Sequence, residues 1–172
     1  ANVVAFWDGV HFEARHVHFV PEGPLNPLPQ GEPSTGDPQT LLKFIQWAQT
    51  EYPADHYALV ISDHGHGVSG AAVDTNPDRN DWLTPPELRQ VLESVQRIET
   101  LYMNTCLQGN IESAYQLRDL TDYYVASESQ SFGPMNHAAY VLGYSDDRVS
   151  IPAISGTTTG EQLAEAMART FA

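Results

Sequence analysis

One cysteine in 172 residues excludes an internal disulfide framework and leaves the redox compartment open. Basic residues are also scarce: 8 Lys plus Arg stand against 22 Asp plus Glu, a formal net charge of -14. Such a surface repels phosphate backbones, which argues against nucleic acid as a direct partner, and it attracts cationic peptides. It equally well serves only to keep a protein in solution. No apolar run approaches the roughly 18 residues of a membrane-spanning helix, so no membrane partner is expected. The stretch ANVVAFWDG lacks a basic leader region and reads as a strand, so no secretion signal is expected in this piece and the compartment stays undetermined. With 41% hydrophobic and 10% aromatic residues, the chain can bury one core, and a single domain over residues 1–172 is the expectation.

Short apolar runs alternate with amphipathic stretches, the pattern of an α/β protein. Strands are expected to begin at Asn2, Tyr57, Thr100 and Asp122 and to lie parallel in one sheet, with helices on both faces. The alternation over residues 15–20 sets Val17 and Phe19 against His16 and His18 and reads as an edge strand with its histidines towards solvent; paired on one side, they also suit a metal. Residues 21–38 hold six of the twelve prolines and read as a loop. Asp37-Pro38 opens a helix with a core stripe of Leu41, Phe44, Ile45 and Ala48. Thr84 with Glu87, and Thr159 with Gln162, form capping boxes; the second opens a helix with Leu163, Met167 and Phe171 on one side. The loop from Asp74 to Asp81 alternates oxygen ligands as an EF-hand does, but Arg79 stands where glycine is required and Pro85 where the bidentate Glu belongs. It reads as a solvated loop.

Two strand ends carry chemistry. The run TLYM empties into Asn104-Thr105-Cys106 ahead of a helix capped by Asn110, which places the thiol at the carboxyl edge of the sheet, where ligands bind in open α/β folds. The run YALVI empties into Ser62-Asp63-His64-Gly65-His66-Gly67. An exposed histidine at the same edge can take the thiol proton or hold the thiolate. Gly65, with no Cβ, and Cys106 itself offer backbone N–H groups to an oxyanion. The competing readings are a buried structural cysteine and a solvated loop histidine.

The blocks YPADHYALVISDHGHG, Asp74 through LTPPEL, and MNTCLQGNIESAYQLRDLTDYYVASES resemble the clostripain-like cysteine peptidases, bacterial relatives of caspases, gingipains and legumains. The resemblance runs from about Asn2 to about Glu128. It implies a three-layer αβα caspase-hemoglobinase fold with a mainly parallel sheet, incomplete at one or both ends, because the family has a further strand and helix before the strand at Asn2. It implies cleavage of peptide or protein substrates, with His64 and Cys106 as the catalytic pair and His66 as a second histidine in the same turn. Activation from a zymogen is also implied, with residues 147–149, Asp-Arg-Val, as a candidate processing site. A companion chain or additional domain from the same polypeptide is a further expectation. No cofactor is expected, calcium being the one that the family raises.

One position departs from the family. Asp usually stands two residues before the nucleophile, in the pocket for the side chain preceding the cut bond, and this chain has Asn104. Asn104, Asp63 and, at the end of the next strand, Glu128 are the candidate substrate-binding residues, and cleavage after Arg, less readily Lys, is the expectation. Two alternatives belong to other classes: a caspase-like recognition scaffold without activity, and a His64-x-His66 metallohydrolase, whose motif expects Asp-His where Val68-Ser69 stand.

Overall fold

The computed structural model describes residues 1–9, 12–19, 28–75, 80–131, 141–145 and 150–170. In chain order these form β1 (Val3–Gly9), β2 (Phe12–Phe19), β3 (Leu28–Gly31), α1 (Pro38–Glu51), β4 (Ala58–Ser62), β5 (Ala71–Asp74), β6 (Asp81–Leu83) and α2 (Pro85–Glu93). There follow β7 (Thr100–Asn104), α3 (Ile111–Leu117), β8 (Tyr123–Ala126), β9 (Tyr144–Ser145), β10 (Ser150–Ile151) and α4 (Gly160–Arg169).

Every residue of β7 is buried, as a strand covered on both faces must be. It lies between two parallel neighbours, β4 from Ala58↔Thr100 to Ser62↔Asn104 and β8 from Thr100↔Tyr123 to Met103↔Ala126. The side-chain period of two then sorts the core. Leu101 and Met103 pack with Leu59, Ile61 and the apolar stripes of α1 and α2, while Tyr102 packs with Val125, Ile151 and Met167 of α4. The result is the expected three-layer αβα arrangement.

The helix starts follow their local chemistry. Asp37 accepts a hydrogen bond from the Gln39 N–H at 2.8 Å, and both capping boxes, Thr84 with Glu87 and Thr159 with Gln162, are formed. Asn110 accepts from the Ser113 N–H at 2.8 Å. Each cap contributes about 1 kcal/mol and fixes where its helix begins. Of the α4 stripe, Met167 is buried and Leu163 partly so; Phe171 lies outside the described residues.

Three expectations are corrected. The parallel sheet has three strands among the described residues, because β1 pairs antiparallel with β2, from Val3↔Phe19, in a separate sheet ordered β1-β2-β3. Local antiparallel pairing holds β1 there, and a cavity of about 1550 Å³, lined by residues 1–8 on one side and 58–62 on the other, lies between β1 and β4. The proline-rich stretch is partly strand, since β3 pairs with β2 at Arg15↔Pro29 and His16↔Leu28. His16 faces the interior: it is 8% exposed, with its ring 4.2 Å from Trp47 and 5.5 Å from Phe44 between centroids. Helix α1 offers aromatic side chains to that face, and an uncharged imidazole packs among them as another aromatic ring does. Burial accordingly lowers the pKa of His16.

Candidate active site

The pairing of Ser62 with Asn104 brings β4 and β7 to an end level with each other. The next residues, Asp63-His64-Gly65 and Thr105-Cys106, therefore leave the sheet side by side. Gly65 lies so close to the cysteine turn that a Cβ there would fall on the Cys106 carbonyl oxygen and sit 2.9 Å from the Cys106 nitrogen. Only glycine lets the two backbones approach this far. Beyond Gly65 the loop returns on itself, with the His66 N–H donating to Gly70 O at 2.8 Å and the Ala72 N–H to His64 O at 3.2 Å. Among the described residues, neither the Gly65 nor the Cys106 N–H donates to another group.

His64 is exposed, and His66, also exposed, sits one turn further on, ahead of the short 3-10 turn Gly67–Ser69. Asp63 shapes this loop: its carboxylate accepts from the His64 N–H at 2.6 Å. Desolvation raises its pKa, opposed by the bonds from the His64 and Val73 N–H groups. Cys106 is half-buried, and its thiol contacts the Ser131 carbonyl at 3.9 Å. That carbonyl belongs to residues 127–131, which run beside the cysteine turn through bonds from Leu107 N–H to Ser129 O and Gly109 N–H to Ser127 O. Leu107 holds a left-handed φ of 62° in that turn. The thiol's neighbour is thus a carbonyl of the segment after β8, a feature that the spacing of Cys106 from its helix does not reveal.

Asn104 is buried, and its Nδ2 donates to Ser62 Oγ at 2.8 Å. Glu128 is exposed just beyond the end of β8, its backbone packed against Gly109. All five sequence-derived candidates other than Gly65 therefore stand at the ends of β4, β7 and β8, on one edge. The large cavity reaches this edge at Ser62, Asp63 and His64. One participant escaped the sequence reading: Gln108 is buried, and its amide reaches across to Gly67 and Gly70 of the histidine loop. The only local signal was a polar residue in a turn that the strand end carries inward.

Among the described residues no group of three or more His, Cys, Asp or Glu side chains is placed to hold a metal ion. At the described ends of the 74–81 loop, Asp81 accepts from Ser34 Oγ at 2.8 Å and Asp74 from the Thr35 N–H at 3.2 Å, which ties the loop to the residues ahead of α1. Residues 76–79, and the candidate processing site at Asp147 and Arg148, lie outside the described residues.

The chain is similar to known proteins in sequence and in fold. Clostripain of Hathewaya histolytica is 32% identical over 152 residues, covering 77% of this chain and 27% of that protein. A secreted C11 cysteine protease from Bacteroides thetaiotaomicron, solved with an irreversible peptide inhibitor, superposes with a TM-score of 0.64 at 18% identity, over 75% of this chain and 39% of that one. An inactive zymogen C11 protease from Parabacteroides distasonis gives a TM-score of 0.61 at 22% identity, over 76% and 39% respectively. The two structures carry the fold, and the chain spans well under half the length of each of these three relatives. A sequence profile described as the Clostripain family, Peptidase C11, matches residues 26–168, and this chain belongs to that family.

Proposed function

We propose that the chain carries the reaction centre of a cysteine endopeptidase, with Cys106 as nucleophile and His64 as its proton acceptor and donor. The observation that supports this most directly is the level ending of β4 and β7, with Gly65 pressed against the Cys106 backbone. The Cys106 Sγ attacks the scissile carbonyl carbon and its proton passes to His64; the C–N bond then breaks as His64 protonates the leaving amine. Water, deprotonated by His64, hydrolyses the thioester and restores the thiol. The N–H groups of Gly65 and Cys106, which have no other acceptor among the described residues, are available for the oxyanion.

The substrate that fits best is a polypeptide cut after Arg, less readily after Lys. A formal charge of -14 draws cations towards the protein, and the exposed Glu128 at the same edge offers a carboxylate that the neutral Asn104 does not. The test is turnover of a positional-scanning peptide library by Cys106→Ala, His64→Ala and His66→Ala. Loss of at least ~10³-fold in the first two with little change in the third agrees with how such catalytic units behave. Turnover surviving in Cys106→Ala refutes the reading, and loss in His66→Ala but not His64→Ala transfers the proton role to His66. A scaffold without activity would turn over no member of the library in the unmutated protein.

A further inference from the structure

Gln108 is 2% exposed, and a glutamine is kept from the interior unless its polar atoms are matched. They are. Its Nε2 donates to Gly67 O at 2.7 Å and Gly70 O at 3.0 Å, and its Oε1 accepts from Ser113 Oγ at 3.4 Å. Both amide protons and the carbonyl are thereby used. Its backbone carbonyl accepts from Tyr124 Oη at 2.8 Å, which anchors the same residue to β8. The two carbonyls it holds belong to the turn that closes the His64 loop, while Gln108 itself stands two residues beyond Cys106. The tip of the loop is open to solvent, with Val68 58% exposed. Its near end meets the cysteine turn through Gly65, and among the described residues its far end is hydrogen-bonded to that turn through this amide.

Resting on the Cys106–His64 reading, we propose that Gln108 is a positioning residue that fixes the histidine loop against the cysteine turn and so sets the separation of imidazole and thiol. A displacement of about 1 Å in such a pair costs on the order of 100-fold in rate. The experiment uses the full-length protein. Gln108→Met keeps the length and bulk of the side chain and removes its donors and acceptor. Gln108→Glu keeps the shape but sets a carboxylate against two carbonyl oxygens, and on protonation it regains one donor. In Gln108→Met, kcat falls roughly 10- to 100-fold with KM nearly unchanged, and the pH profile of Cys106 alkylation by iodoacetamide moves towards that of His64→Ala. Gln108→Glu is slower still at pH 7 and recovers part of its kcat on acidification, relative to the unmutated protein. If Gln108→Met does not fold, that recovery alone carries the test, and its absence overturns the proposal. A lowered Tm with kcat and alkylation per folded molecule unchanged also overturns it, since the role is then only structural. When this happens while Cys106→Ala and His64→Ala are inactive, the catalytic reading stands without Gln108; a fully active His64→Ala removes both.

Discussion

At the scale of single residues, the site depends on how closely two backbones pass. Gly65 has no room for a Cβ because the neighbouring atoms are backbone atoms of Cys106, which cannot rotate away as a side chain can. Gly65→Ala therefore pushes the histidine loop off the cysteine turn, and kcat/KM is expected to fall by about 100-fold or more, while melting curves show only modest destabilisation. Activity within a few-fold of the unmutated protein would show that the contact is incidental. Glu128 is tested by charge alone. Glu128→Gln keeps its size and removes the carboxylate, so cleavage after Arg is expected to weaken by roughly 10-fold, mostly in KM, on the reasoning that charge-assisted hydrogen bonds are about twice as strong as neutral ones. Unchanged kinetics on Arg substrates would remove Glu128 from the pocket.

At the scale of elements, β2 and α1 share an aromatic cluster that buries His16. Its pKa is lowered by burial, so the unfolded chain binds the proton more readily than the folded one, and stability falls as pH falls. The stabilisation is complete above the ordinary imidazole value of 6.5 and is lost progressively as pH drops from there towards the lower folded value. His16→Phe keeps a ring against Phe6, Phe44 and Trp47 and removes the titration. Between pH 7 and pH 5 the Tm of the unmutated protein is expected to drop further than that of the variant, by on the order of a few degrees; parallel curves would contradict this. The same cluster shows where the sequence was hard to read. An alternation of His with Val marks two faces of a strand but not which of them a helix will cover, and the partner aromatics Phe44 and Trp47 lie some thirty residues away. Caps were legible because Thr84 with Glu87, Thr159 with Gln162, and Asn110 act within a single turn. The ends of β4 and β7 were legible because apolar strand residues give way abruptly to Asp63-His64-Gly65 and Thr105-Cys106. Pairing partners are set at long range, and so β1 was expected beside β4 when it lies against β2. Gln108 was missed for the same reason, its partners being Gly67 and Gly70 across the site.

At the scale of the molecule, β4 has one strand neighbour, β7, among the described residues, and its other edge borders the cavity of about 1550 Å³. A strand edge without a partner among the described residues is a template for another strand. A segment of a longer polypeptide or a companion chain, as the family resemblance implies, is the proposed occupant. Hydrogen exchange reads this directly: cavity-facing amides among residues 58–62 are expected to exchange faster in the isolated 172-residue chain than in a longer natural product. Equal protection in both would show that nothing further pairs there. Control by processing belongs to the same scale. Freshly made, uncut enzyme is expected to gain activity on cleavage, and full activity before any cut would contradict a zymogen.

Whether Cys106 and His64 form one reaction centre is read by covalent labelling with a thiol-reactive peptidyl probe bearing Arg next to its reactive group, the adduct being located by peptide mapping. One adduct is expected on Cys106, formed far faster than with a probe lacking the peptide and slowed by at least about 100-fold in His64→Ala. Labelling that is equally fast without the peptide, or unaffected by loss of His64, would mean that the two strand ends meet without forming a catalytic pair.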